Sequence, residues 1–124
     1  MLGLDHVQIA YPRGSEEAAR AFYGVLLGLE EVEKPEPLKG RGGVWFRVGS
    51  RGLHLGVEEP FRAAAKAHPA LLVDDARELF ARLASAGVLC AWDEALPGVV
   101  RFYAEDPWGN RLEFVEDAPP AASK

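Results

Sequence analysis

The chain has 124 residues, 48% of them apolar and 27% charged, which suits one compact domain with a buried core. Its net charge of −5 disfavours binding to nucleic acid or to anionic lipid. No basic-then-apolar signal pattern opens the sequence, and no apolar run reaches the length of about 18 residues that a membrane helix needs, so we expect a cytoplasmic protein. Cys90 is the single cysteine, which excludes an intrachain disulfide, and its apolar neighbours indicate an inert, packed thiol.

The first half of the chain predicts a strand, a helix and three further strands. Alternation of apolar and polar residues indicates a strand at 4–11. Ser15 is placed to cap a helix, whose apolar stripe of Ala19, Phe22 and Leu26 ends at Gly28. Strands are then expected at 29–34, 44–48 and 53–58, with a mobile loop at 35–43 and a turn at 49–52.

The same order of elements is predicted again from residue 68 onwards. A strand at 68–73 leads to a helix that Asp74 or Asp75 caps and that Gly87 ends. Three strands follow at 88–92, 99–104 and 111–116, separated by turns at 96–98 and 106–110. The tail at 118–124, which is rich in Pro and Ala, is expected to be disordered.

A constant offset of 59 positions relates equivalent features of the two halves, which indicates an internal duplication. These features are the residue before each helix, the glycine that ends it and a polar residue on the last strand. The pairs are Ser15 and Asp74, Gly28 and Gly87, and His54 and Glu113. His68 follows His6 by 62 positions, and a longer strand-to-helix loop in the first half accounts for the three extra residues.

We therefore predict an α+β fold built from two βαβββ modules within one domain. The first module covers 1–58 and the second covers 68–117, with a connecting segment at 59–67. The eight strands should form a curved mixed sheet around a central cleft, with the helices on its outer face.

Alternation along the strands separates an apolar side, which faces the helices, from a polar side. The polar side collects all three histidines of the protein, and its candidate metal ligands are His6, His54, His68 and Glu113. Because the duplication pairs His6 with His68 and His54 with Glu113, we expect the four side chains to meet near a pseudo-two-fold axis. Each residue alone would be an ordinary hydrogen-bonded or half-exposed side chain, and only the joint placement predicts a metal site.

Three nitrogen donors and one carboxylate suit Zn, Ni, Co, Mn or Fe, and the sequence does not rank these divalent metals. Four protein ligands leave two positions of an octahedral ion free to chelate neighbouring oxygens of a substrate. The remaining positive charge of such a site favours an anionic substrate. Glu113 is also the candidate catalytic base.

Six further polar or aromatic residues on the polar side are expected to line the cleft and bind substrate. They are Gln8, Trp45, Arg47, Arg101, Tyr103 and Arg111. Arginine suits a carboxylate or phosphate group, and the aromatic rings suit a flat apolar group. An alternative for Arg47 and Arg101 is that each pairs with an acidic side chain at the rim.

Five short motifs span nearly the whole chain: LDHV at 4–7, FY at 22–23, LGL at 27–29, AHPAL at 67–71 and, most specific, DPWGNRLEF at 106–114. In these motifs the chain resembles the vicinal-oxygen-chelate superfamily. That superfamily includes glyoxalase I, fosfomycin-inactivating thiol transferases, extradiol dioxygenases and bleomycin-binding resistance proteins. The resemblance implies metal ligands on the first, fourth, fifth and eighth strands, which are again His6, His54, His68 and Glu113. Glyoxalase I usually carries a carboxylate where this chain has His54.

The resemblance implies a metal-dependent, glyoxalase-like lyase or isomerase that acts on a small, oxygenated and anionic substrate. Alternatives are a thiol transferase, an extradiol dioxygenase or a non-catalytic antibiotic-binding resistance protein. A fourth ligand at His54 argues against a dioxygenase, and the arginines of the predicted cleft argue against binding of a cationic drug. The resemblance also implies a homodimer, with a cleft that takes His6 and His54 from one chain and His68 and Glu113 from the other.

Overall fold

The computed structural model describes residues 1–117, which form eight strands in two four-stranded mixed sheets. The strands are β1 (His6–Tyr11), β2 (Glu30–Val32), β3 (Val44–Val48), β4 (Arg51–Val57), β5 (Ala70–Val73), β6 (Cys90–Asp93), β7 (Arg101–Glu105) and β8 (Arg111–Glu116). Their spatial order is β1-β4-β3-β2 in the first sheet and β5-β8-β7-β6 in the second. The α+β fold of two βαβββ modules is confirmed. In the described residues the eight strands form two four-stranded sheets and not the one continuous sheet that was expected, because strand pairing stays within each module. The tail predicted to be disordered lies outside the described residues.

The two sheets repeat one pairing scheme. β1 pairs with β4, and β5 with β8, in parallel, whereas the other neighbouring strands are antiparallel. The residue opposite His54 is Gln8, and the residue opposite Glu113 is Ala70. Gln8 and Ala70 are separated by 62 positions, the same offset that relates His6 to His68. The backbone register therefore supports the duplication inferred from the sequence.

Two helices connect the first and second strands of the modules. Helix α1 begins with one α-helical turn, Glu16–Ala19, and continues as a π-helix, Arg20–Leu26. Helix α2 is α-helical over Ala76–Ser85. A 3-10 helix, Glu36–Arg41, occupies most of the segment expected to be a mobile loop. That expectation was wrong because Pro35 fixes the start of the segment and its carbonyl accepts a hydrogen bond from the Leu38 amide at 2.9 Å.

The helix ends agree only partly with the predicted caps. The Asp75 side chain accepts a hydrogen bond from the Glu78 amide at 3.0 Å, so Asp75 is the cap of α2. Ser15 precedes α1 as predicted, yet its side chain makes no capping hydrogen bond. Gly28 and Gly87 follow the two helices with φ of +77° and +83°, a left-handed conformation that favours glycine.

The apolar sides of both sheets and both helices contribute to one buried cluster. Its most completely buried aromatic members are Tyr11, Tyr23, Phe46, Phe102 and Phe114. Burial of one such side chain contributes about 2–3 kcal/mol to folding. Because one side of each strand packs in this core, polar residues are confined to the other side.

A buried carboxylate joins the two modules. Asp106 accepts hydrogen bonds from the Tyr23 hydroxyl at 2.8 Å, and from the Asn110 amide and side chain at 2.8 and 2.9 Å. The Asn110 side chain also donates to the Ala10 carbonyl of β1 at 2.8 Å. Burial is the main cause that raises the pKa of Tyr23, so its hydroxyl remains a donor. The most specific sequence motif thus serves to hold the modules together.

A helix that crosses a bilayer needs about 20 largely apolar residues. Among residues 1–117, no helix is long and apolar enough to do so.

Candidate functional site

The polar side of the first sheet carries three stacked rings. His54 on β4 lies between Trp45 on β3 and His6 on β1, with ring centroids 3.7 Å and 4.3 Å away. The register explains the stack, because Trp45 pairs directly with His54 and His6 pairs with Gly52. Gly52 provides the space for the imidazole, since a Cβ there would lie 2.7 Å from His54 Nε2. A larger residue at this position would displace the ring.

The two histidines of this stack are suited to bind a cation. His54 is only 8% exposed, and burial, followed by the nearby His6, lowers the pKa of its imidazole. His54 is therefore neutral at pH 7, which is the metal-binding form. His6 Nδ1 lies 2.9 Å from Asp5 Oδ1, and this hydrogen bond is the main cause that lowers the pKa of Asp5. A proton held on Nδ1 leaves the His6 Nε2 lone pair free.

The polar side of the second sheet carries a histidine and a carboxylate in contact. His68 lies just before β5, and its Nε2 is 3.0 Å from Oε1 of Glu113 on β8. The other ring nitrogen, Nδ1, is 2.8 Å from the Lys66 carbonyl oxygen. Because a carbonyl only accepts hydrogen bonds, we assign the proton of neutral His68 to Nδ1. Nε2 then directs a lone pair at a carboxylate oxygen.

Two acceptors in contact require a cation between them, either a proton or a metal ion. Glu113 is 7% exposed, so water provides little screening between the two atoms. The separation of 3.0 Å also suits adjacent ligands of one ion, because bonds of about 2.1 Å at a right angle place the donor atoms about 3 Å apart. The donor types and their spacing therefore fit a divalent metal.

An arginine occupies the second oxygen of the same carboxylate. Arg101 Nη1 donates to Glu113 Oε2 at 3.0 Å, and Arg101 Nη2 lies 3.2 Å from Asp93 Oδ1. The hydrogen bond to Glu113 is the main cause that raises the pKa of Arg101. Arg47 lies 3.7 Å from Glu30 across an exposed pair. Both arginines thus have the acidic partners that were the alternative to substrate binding.

Arg111 and Gln8 have different surroundings from Arg101. The Arg111 guanidinium lies 3.9 Å from the centre of the Tyr103 ring. The centroids of the Tyr103 and His68 rings are 5.5 Å apart, with the two rings nearly perpendicular. Within residues 1–117, Arg111 forms no salt bridge with an acidic side chain. Gln8 lies against Gly56, since a Cβ added at position 56 would be 2.8 Å from the Gln8 Nε2 atom. Arg111 therefore keeps its charge available to an anion.

The four candidate ligands form two pairs and not one group. His6 stacks on His54 in the first sheet, and His68 contacts Glu113 in the second. In the described part of the chain, no three His, Cys, Asp or Glu side chains are grouped so that they could hold a metal ion. The convergence of all four donors inside one chain, expected from the duplication, is not found there. The pseudo-two-fold relation by itself does not decide which sides of the modules face each other.

A cleft of about 1040 Å³ lies between the two modules. Its walls include residues of β1 and β5, each of which is an edge strand of its sheet, together with residues of the connecting segment. His6, Gln8, His68 and Arg111 are among the residues that line it. One member of each ligand pair therefore borders the same open space.

Two acidic residues of these clusters were not predicted. Asp5 directly precedes His6, so its adjacency in the sequence was a usable signal. Asp93 lies opposite Arg101 on the neighbouring strand. That contact depends on the β6–β7 register, which sequence periodicity does not provide.

Comparison with known proteins identifies relatives of the whole chain. The family model of the Glyoxalase/Bleomycin resistance protein/Dioxygenase superfamily matches residues 3–114. A glyoxalase family protein from Bacillus anthracis is 50% identical, with a TM-score of 0.91, over 95% of this chain and 97% of that one. No curated protein sequence matches the chain.

More distant structures share the fold. Lactoylglutathione lyase from Agrobacterium tumefaciens is 24% identical, with a TM-score of 0.73, over 94% of both chains. A glyoxalase/dioxygenase from Nostoc punctiforme is 20% identical, with a TM-score of 0.76, over 95% of this chain and 92% of that one. At these identities the likeness concerns the fold alone.

Proposed function

Because the chain belongs to the Glyoxalase/Bleomycin resistance protein/Dioxygenase superfamily, we propose that it is a metal-dependent enzyme of glyoxalase type. The reaction would be that of a lyase or isomerase on a small, oxygenated and anionic substrate. The observation that carries the proposal is the contact between His68 Nε2 and Glu113 Oε1, whose separation of 3.0 Å suits two ligands of one ion. His6 and His54 supply the other two donors.

The residues of this chain fit a divalent metal ion in their chemistry. A bound ion would supply Lewis acidity, which polarises substrate oxygens and favours their deprotonated forms. Asp5 and the Lys66 carbonyl accept hydrogen bonds from the Nδ1 atoms of His6 and His68, and such partners fix the tautomer that leaves Nε2 available. Burial holds His54 in its neutral form.

We propose that a second copy of the chain completes the site. Each chain holds one nitrogen pair in its first sheet and one nitrogen–oxygen pair in its second, so two chains hold two full sets of ligands. The edge strands β1 and β5 border the open cleft, and their free backbone groups are suited to contact another copy. In this homodimer, His6 and His54 of one chain act with His68 and Glu113 of the other.

The cleft residues favour an anionic substrate. Arg111 borders the cleft beside His68 and has no acidic partner among residues 1–117. A guanidinium in this position suits a carboxylate or phosphate group. Gln8 offers an amide donor and acceptor on the other wall, and Trp45, Arg47 and Tyr103 lie on the same polar sides.

Glu113 is the candidate proton acceptor. It is the single carboxylate among the four candidate ligands, and it lies beside His68 in a nearly water-free environment. A carboxylate that is both a ligand and a base can take a proton from a substrate carbon next to a polarised carbonyl. Oε1 is the atom placed to do so, because Oε2 is bonded to Arg101.

Metal binding followed by an activity screen tests the proposal. Purified protein is stripped with a chelator and titrated with Zn²⁺, Ni²⁺, Co²⁺, Mn²⁺ and Fe²⁺, and the loaded forms are assayed with hemithioacetals, with fosfomycin plus thiols, and with catechols. We expect about one ion per chain and activity with a hemithioacetal-type substrate. Glu113→Ala should lower metal affinity at least tenfold, because it removes one ligand.

Glu105→Ala is the matched control, because Glu105 is an exposed acid on β7 outside both ligand pairs. It should bind metal as the wild type does. A wild-type protein that binds none of the five ions would contradict the proposal. If catechols, or fosfomycin with a thiol, were the only substrates turned over, the corresponding alternative would replace the glyoxalase-type proposal.

A further inference from the structure

A row of three charged side chains crosses the polar side of the second sheet. Asp93 on β6 contacts Arg101 on β7, and Arg101 contacts Glu113 on β8. The side chains of Arg101 and Asp93 are 15% and 26% exposed, so the row is much less accessible than the rim pair of Arg47 and Glu30. A pair shielded in this way restrains geometry more than an exposed pair does.

The two oxygens of Glu113 therefore have separate partners. Oε2 accepts from Arg101 Nη1 at 3.0 Å, and Oε1 faces His68 Nε2 at 3.0 Å. The guanidinium itself is held from two sides, since Nη2 contacts Asp93 while Nη1 contacts Glu113. Its Nε is buried and has no hydrogen-bond partner within residues 1–117. The two Nη contacts thus set the orientation of Arg101.

We infer that Asp93 and Arg101 are positioning residues that reserve Oε1 of Glu113 as the one oxygen able to bind the metal or accept a proton. This inference rests on the proposed function and deepens it. With Oε2 held by Arg101, Glu113 would hold an ion through Oε1 alone. The same bond to Arg101 would keep the carboxylate in place when Oε1 accepts a proton.

The charges of the pair explain why two residues are needed. Arg101 alone would place a positive charge beside a cation site and weaken metal binding. Asp93 cancels that charge at 3.2 Å, so the pair can orient Glu113 without opposing the metal. Removal of both side chains together leaves the net charge unchanged and isolates the geometric effect.

The test compares two charge-neutral double variants. Arg101→Met with Asp93→Asn removes the row, and Arg82→Met with Glu78→Gln removes an exposed pair on helix α2 whose atoms are 3.6 Å apart. The dissociation constant of Co²⁺ is measured by competition with a coloured chelator, together with the visible spectrum of the bound ion. We expect the first double variant to bind Co²⁺ at least tenfold more weakly and with an altered spectrum, because Glu113 must be ordered on binding.

The control double variant should keep both the affinity and the spectrum of the wild type. If the first double variant does not fold, Asp93→Asn alone serves, and it should also bind Co²⁺ more weakly. Wild-type affinity and spectrum in the variant that folds would overturn the positioning role and leave the proposed metal site intact. A wild-type protein that binds no Co²⁺ or other divalent ion would overturn the proposed function, and this inference with it.

Discussion

At the scale of single residues, the two ligand pairs use different physical means to present a lone pair. In the first sheet, stacking between Trp45 and His6 buries the His54 ring and keeps it uncharged. In the second sheet, His68 donates a hydrogen bond to the Lys66 carbonyl and Arg101 donates one to Glu113, which fixes both ligands. Desolvation thus prepares His54, and directed hydrogen bonds prepare His68 and Glu113.

The lowered pKa of His54 predicts a pH dependence of stability in the metal-free protein. The unfolded chain takes up a proton near pH 6.5, whereas native His54 resists protonation to lower pH. The native state therefore loses stability as pH falls through about 6.5, and is most stable above it. We expect the urea midpoint of the wild type to fall more steeply than that of His54→Asn between pH 8 and pH 5.5.

The two proteins differ only at residue 54, so the difference between the two profiles reports the contribution of His54. Parallel profiles would mean that the His54 ring is as accessible to protons in the native state as in the unfolded chain.

At the scale of elements, each helix begins differently although the modules are duplicates. The α2 helix has a side-chain cap from Asp75, whereas Ser15 stands before α1 without such a bond. The α1 helix continues after one turn as a π-helix, with the Leu27 amide donating to the Phe22 carbonyl at 2.9 Å. Tertiary packing of Phe22 and Tyr23 in the core, and not the cap, holds this helix in place.

This difference predicts unequal effects of two matched alanine substitutions. Asp75→Ala should lower the free energy of unfolding by about 1 kcal/mol, because the Glu78 amide loses its acceptor. Ser15→Ala, the control at the residue that directly precedes α1, should cost less than about 0.5 kcal/mol, because Ser15 makes no capping hydrogen bond. Chemical unfolding of both variants measures the difference, and equal losses would contradict the assignment of the caps.

At the scale of the whole molecule, the junction between modules separates the ligand pairs. The network around Asp106 links helix α1, β1 and the turn before β8. The apolar sides of both modules share one core, so the polar sides remain free for contacts outside the chain. A dimer in which each module meets the opposite module of the partner would bring the two pairs together.

Mixing two defective chains tests this arrangement. One chain carries His6→Ala with His54→Ala, and the other carries His68→Ala with Glu113→Ala. Neither homodimer holds a full ligand set, but a mixed dimer holds one. If sites form between chains, random exchange of subunits should restore about one quarter of wild-type metal binding and activity.

Separately purified chains that stay inactive alone provide the control. No recovery after verified subunit exchange would mean that the site does not take its ligands from two chains. A monomer on size-exclusion chromatography that still binds metal would also contradict a site shared between two chains.

Patterns within the chain predict the duplicated α+β fold and the side of each strand that is polar. Both follow from period-two alternation, helical stripes and a repeated spacing, which are local properties of the chain. The prediction of a mobile loop at 35–43 is wrong, because a 3-10 helix follows Pro35 although the composition of the segment is typical of a loop.

The contacts that the polar sides make depend on how the strands and modules pack. The contacts of Arg101 with Asp93 and Glu113 depend on the register of three strands, and a shift by one residue would turn each side chain to the opposite face. The separation of His6 and His54 from His68 and Glu113 depends on how two similar modules pack, for which the duplication allows more than one arrangement. Both features result from contacts distant in sequence, which periodicity along the chain does not encode.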